Sequence, residues 1–118
     1  MEIKARSRVK GRVAILELSG RFDAYETLPV KEWLSQAADS PPALVVINMA
    51  GVNFIDSSGL ALLVQGMKHC RRQNGDLALC HFQKSVQTIF ELSCLDKTFN
   101  VFASEEEAVA AFTVPSLE

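Results

Sequence analysis

The chain has no glycine-rich phosphate loop: neither GxGxxG nor GxxxxGK[ST] occurs in its 118 residues, so no phosphate cradle of the usual kind is encoded. GxSxG is also missing, and the only histidines are His69 and His81. A serine nucleophile needs a histidine base within hydrogen-bond reach. His69 lies about three helical turns beyond the chain's one Ser-Ser pair, roughly 15 Å away at the usual rise. Basic runs are absent beyond Arg71-Arg72, and twelve basic against fourteen acidic residues leave a formal charge of −2. That balance argues against nucleic acid or an anionic membrane as partner. The start, MEIKARSRVKGR, has no apolar core, so a secretory signal is not expected. The longest apolar stretch, 43–52, is too short for a bilayer, which needs about 20 residues. Cys70, Cys80 and Cys94 form no CxxC pair, which suits a reducing cytoplasm. His69-Cys70 and Cys80-His81 offer metal-ligand types. Neighbours on a strand point to opposite faces, however, and a closed zinc site needs four convergent ligands. Neither a metal nor another cofactor is expected, and an enzyme is the least supported class.

What is present is a regular alternation of elements. Ile3 to Val9 and Val13 to Leu18 read as a hairpin with Lys10-Gly11 as the turn, glycine supplying the positive φ such turns need. Ser19-Gly20 is expected to break the second strand. From Thr27, Leu28, Val30, Trp33, Leu34 and Ala37 follow helical spacing, and Pro41-Pro42 lies beyond the end. Ala43 to Ala50 is nearly all apolar, the mark of a strand covered on both faces or placed mid-sheet. Leu60, Leu63, Val64, Met67 and Cys70 define a second helix that Asn74-Gly75 ends. A strand at Leu77 to Phe82, a helix capped by Ser85 and an edge strand at Phe99 to Phe102 follow. Ser104 with Glu107 three residues on is a capping box for a last helix through Phe112. The fold class is α/β: a mixed β-sheet of about four to five strands with about four helices. Residues 1–112 make one domain, and 113–118 a flexible tail.

One turn stands apart. FIDSSGL, residues 54–60, lies where a buried strand gives way to a leucine-rich helix. Asp and Ser are preferred N-caps, so Asp56, Ser57 or Ser58 has an ordinary structural use. A cap needs only one of them, and a glycine in a first helical turn is costly unless something approaches closely. A hydroxyl at a helix N-terminus is also held outward beside free N–H groups, where a phosphate is tolerated. Such a phosphate adds about −1.5 to −2 charge to the surface. The spacing leaves both readings open.

The chain resembles the STAS-domain proteins of the anti-sigma factor antagonist family, on "LSGRFDAYE", "VVINMAGVNFIDSSGLALLV", "NGDLALCHF" and "SVQTIFELSCLDKTFNVFAS". The resemblance implies a STAS fold and a regulator without catalysis of its own. Its unphosphorylated form would bind an anti-sigma factor that is also a serine kinase, freeing the sigma factor. Phosphorylation would end that binding, and a PP2C-type phosphatase would restore it. The serine directly after the aspartate of the turn, Ser57, would be the phosphoacceptor. Asp23 and Asp56 would position the hydroxyl and contact the kinase. Ser58 and Gly59 would give close access, and Leu60 would open the docking helix. The family's G-E-[LIV]-D is Gly20-Arg21-Phe22-Asp23 here, so Arg21 reverses a charge beside the turn. The alternative is a STAS scaffold or accessory subunit of another signalling or transport complex.

Overall fold

The structure, a computed structural model, describes residues 3–113. Strands β1 (Lys4–Lys10) and β2 (Val13–Phe22) form the hairpin, and α1 (Thr27–Ala37) leads to β3 (Leu44–Ile55). Helix α2 (Ser57–Arg72), β4 (Asp76–Cys80) and α3 (Lys84–Leu92) follow. A short 3-10 turn, Leu95–Lys97, precedes β5 (Asn100–Phe102) and α4 (Glu105–Thr113). The five strands lie in sequence order, β1-β2-β3-β4-β5. The hairpin is antiparallel and every later pairing parallel, as expected where helices join the strands. Of the tail expected from 113, Thr113 closes α4, and 114–118 lie outside the described residues.

The sheet is covered unequally. Val45 and Ile47 of β3 and Leu77 and Leu79 of β4 face a core shared with Val30 and Leu34 of α1, Leu63 and Met67 of α2, and Val86 and Phe90 of α3. Their strand neighbours Val46, Ala78 and Cys80 face Ala108 and Val109 of α4. The two-residue strand period therefore sends apolar side chains both ways, which is why β3 and β4 carry almost unbroken apolar runs.

The strand ends differ from the expectations. Ser19-Gly20 does not end β2, which continues to Phe22 beside a β3 that runs past Ala50 to Ile55. Glu17 and Ser19 face Asn48 and Gly51, and Gly20 and Arg21 face Val52 and Phe54. Strand β3 thus holds two extra residues, bulges that allow pairing to resume past polar and glycine positions. Strand β4 stops at Cys80 rather than Phe82, because His81 takes a left-handed φ of 59°. Gln83, not Ser85, is the N-cap of α3, and the Ser85 hydroxyl donates instead to the Asn53 carbonyl at 3.3 Å. Leu28, expected on the apolar face of α1, is 62% exposed. The serine half of the Ser104 box is present: Ser104 Oγ accepts from the Glu107 amide at 3.2 Å, while the Glu107 carboxylate accepts from the Ser104 hydroxyl at 3.1 Å instead of from the Ser104 amide.

Candidate functional site

The long pairing of β2 with β3 sets the site. Phe22 and Ile55 are the last partners in register, so the chain leaves both strands at one end of the sheet. Both side chains point into the three-helix core. The residue after Phe22 is Asp23, and the residue after Ile55 is Asp56. Two loops far apart in sequence therefore start side by side.

Asp56 is the cap. Its backbone is extended, and Oδ1 accepts from the Ser58 amide at 2.9 Å and the Gly59 amide at 3.1 Å, satisfying two of the helix's unpaired donors. Oδ2 accepts from the Ala24 amide at 3.1 Å. One carboxylate thus ties the start of α2 to the loop that follows β2. Ser57 is the first helical residue and is exposed, Ser58 and Leu60 are half-buried, and Gly59 is buried. Capping by Asp56 leaves the Ser57 hydroxyl without a hydrogen bond to any described residue.

Gly59 is turned inward, not toward a partner. A Cβ there would lie 2.7 Å from the Phe22 carbonyl oxygen and 2.8 Å from Cγ1 of Ile55. The close approach that the glycine serves is internal: it lets α2 start directly against the ends of β2 and β3. Access at the turn falls to Ser57 and Ser58.

Asp23 comes to the same end of the sheet, but its carboxylate serves its own loop. Oδ1 accepts from the Tyr25 amide at 3.1 Å, and Oδ2 lies 3.6 Å from Nε of Arg21. Arg21 also stacks over the Phe54 ring, 3.9 Å from its centroid, so its charge is shared between an aromatic face and a carboxylate. Phe54 therefore packs beneath Arg21. Sequence reading missed Tyr25, the chain's one tyrosine, which is 93% exposed in the loop tied down by Asp56. A large aromatic in a short loop beside a helix start was the available signal.

Elsewhere, titratable groups serve the fold. His81 Nε2 accepts from the Glu105 amide at 3.1 Å at the start of α4. Burial would raise the Glu105 carboxyl. Hydrogen bonds from Arg8 and Asn48, with the charge of Arg8, outweigh it and hold the group below the usual carboxylate range. Burial pushes the Cys70 thiol up to about 11 and the Cys80 thiol up to about 12. No group of three or more His, Cys, Asp or Glu placed to hold a metal ion occurs among the described residues. No described helix is long and apolar enough to cross a membrane. A cleft of about 640 Å³ lies between α3 and β5, lined by Phe82, Glu91, Asp96 and Phe102, away from the 56–60 turn.

Fold and turn together define a one-sheet α/β domain that presents a serine hydroxyl from a capped helix start. The chain belongs to the STAS domain family, whose model matches residues 4–108. It is 33% identical over 95 residues to BtrV of Bordetella bronchiseptica, a protein provisionally named an anti-sigma factor antagonist, covering 80% of this chain and 82% of that one. It is 26% identical to the anti-sigma F factor antagonist of Paenibacillus polymyxa, over 88% of this chain and 90% of the relative. The fold matches the structure of the unphosphorylated anti-sigma factor antagonist SpoIIAA with a TM-score of 0.80 at 22% identity, over 96% of this chain and 99% of that one.

Proposed function

We propose that this protein is an anti-sigma factor antagonist whose binding is switched at Ser57. The unphosphorylated form binds an anti-sigma factor that is also a serine kinase, and so frees the sigma factor in the cytoplasm. The observation that carries the reading is the division of labour in the turn: Asp56 commits one carboxylate oxygen to the start of α2 and the other to the Ala24 amide, and Ser57 is left exposed with its hydroxyl unused. The relatives named as anti-sigma factor antagonists support it.

In the kinase-bound state, Ser57 Oγ attacks the γ-phosphorus of ATP held by the kinase, the bond to ADP breaks, and the serine proton passes to a base of the kinase. This chain supplies the nucleophile and its placement, and the partner supplies the catalysis. Asp23, Tyr25, Asp56, Ser58 and Leu60, from the two loops that start side by side at this end of the sheet, contribute the docking surface in this reading. The phosphate adds roughly −1.5 to −2 charge beside Asp56, and like charges facing each other across a desolvated interface cost several kcal/mol. Release follows, and a PP2C-type phosphatase reverses it.

The test is incubation with ATP and a candidate anti-sigma factor kinase, followed by phosphopeptide mapping. Phosphate on Ser57 is expected, with kinase binding lost in Ser57→Asp and kept in Ser57→Ala. Phosphate elsewhere, or equal binding by both variants, would sink the proposal.

A further inference from the structure

The linear sequence holds no basic run longer than two residues, yet strand alternation builds one. In β1, Lys4, Arg6, Arg8 and Lys10 occupy every second position and share one face of the sheet. Register identifies that face: Arg8 lies opposite Ile15 and Lys10 opposite Val13, both part of the cluster under α4. Ala5, Ser7 and Val9 take the other face, opposite Leu18, Leu16 and Ala14. All seven residues are exposed, and β1 is the outermost strand. One row of its backbone N–H and C=O groups therefore has no described strand beside it.

Arg8 is neutralised by Glu17 and Glu105. Lys4, Arg6 and Lys10 form no ion pair with a described residue. On the opposite face a groove of about 390 Å³ is lined by Ser7, Val9, Trp33 and Ala37, with Val9 72% exposed. The edge thus combines an unpaired backbone, positive charge at a two-residue period on one face, and an apolar notch on the other.

These features select among occupants. Two copies pairing antiparallel about Ser7 would set Lys4 against Lys10 and Arg6 against Arg8, and like charges directly opposite destabilise a strand pair. A lipid surface or a nucleic acid would meet the charge but use neither the backbone edge nor the groove. An extended protein segment matches all three, because its own side chains alternate with the same period. Its carboxylates would stand opposite Lys4, Arg6 and Lys10 at cross-strand separations of about 4.5–5.5 Å. Its intervening apolar side chains would lie against Val9 and Trp33. We propose that β1 is a docking edge for an extended segment of another protein in which acidic and apolar residues alternate.

Trp33 is the chain's single tryptophan, and it lines the groove, so its fluorescence reports the event. The probe is a capped seven-residue peptide alternating Glu and Val, titrated into the full chain to millimolar concentration. A saturable change in Trp33 emission is expected. Binding should weaken at least about tenfold in the Lys4→Glu, Arg6→Glu, Lys10→Glu triple variant, given three reversed cross-strand charge pairs. A Lys-Val peptide should bind that variant in its place. Controls on the unaltered protein keep the test open if the variant fails to fold. A peptide of the same composition with its four Glu in one block, and one N-methylated along its pairing edge, should both bind weakly. Equal binding of either control, or no saturable change with the alternating peptide, overturns the proposal. So does tighter binding of phosphatidylglycerol vesicles or duplex DNA than of the peptide.

Discussion

The carbonyl oxygen of Phe22 occupies the space a side chain on Gly59 would need: a Cβ at that glycine would sit 2.7 Å away. The contact joins the end of β2 to the first turn of α2. Replacing Gly59 by Ala must therefore push the helix start away from the sheet. A loss of about 1–3 kcal/mol is expected, the usual cost of overpacking, read as a lower urea midpoint. An unchanged midpoint would show that the contact yields freely.

Asp56→Ala leaves the amides of Ser58, Gly59 and Ala24 without their acceptor. The loss of an N-cap costs about 0.5–2 kcal/mol, and the freed Ala24 amide puts the result toward the upper end. Amide hydrogen exchange should quicken at Ala24 as well as at Ser58 and Gly59. Faster exchange in the helix alone would contradict the link between the two loops.

Ser57→Ala should leave stability within about 0.5 kcal/mol of the parent, as for surface positions without a structural role. The same variant should take up no phosphate at the turn. A large drop in stability would mean that the hydroxyl serves the fold.

Acid stability should depend on Glu105. Its carboxyl is held lower in the folded chain than in the unfolded one. The unfolded state thus binds the proton first, and the stabilisation is complete above the ordinary glutamate value of about 4.3. It is lost as pH falls through the lower folded value. Glu105→Gln should flatten the stability curve below that point and leave its shape at neutral pH unchanged. Equal acid sensitivity of parent and variant would remove Glu105 as a source.

Thiol chemistry should single out one cysteine of three. Cys70 and Cys80 are buried, with thiols pushed up to about 11 and about 12, whereas Cys94 is exposed. Because the thiolate is the reactive form, a disulfide reagent at pH 8 should titrate one group quickly in the native chain and three in denaturant. Rapid reaction of two or more native thiols would contradict the packing.

Much of the fold is written in local order. The apolar run at Ala43–Ala50 and the helical spacing from Leu60 to Cys70 depend on burial, and burial leaves a period in the sequence. The extension of β3 to Ile55 does not. Gly51 and Asn53 look like loop residues, and they are held in a strand because Ser19 pairs with Gly51 while Gly20 and Arg21 pair with Val52 and Phe54 on either side of the bulged Asn53. The turn was legible as a candidate because Asp, Ser and Gly cluster there. Which of Asp56, Ser57 and Ser58 caps, and that Gly59 faces inward, depend on how the turn meets the Phe22 carbonyl, more than thirty residues away. The stripe on β1 escaped a linear count because its charges are spaced by one residue.

Each strand of the sheet lies beside the one that precedes it in the chain. No pairing has to wait for a distant strand, and the ends to be joined are always those most recently made. Loop closure then costs little at each step, and contact order stays low for a sheet protein. A chain emerging from the ribosome could add one strand at a time to a growing edge, with β1 fixed from the beginning as the side where growth stops.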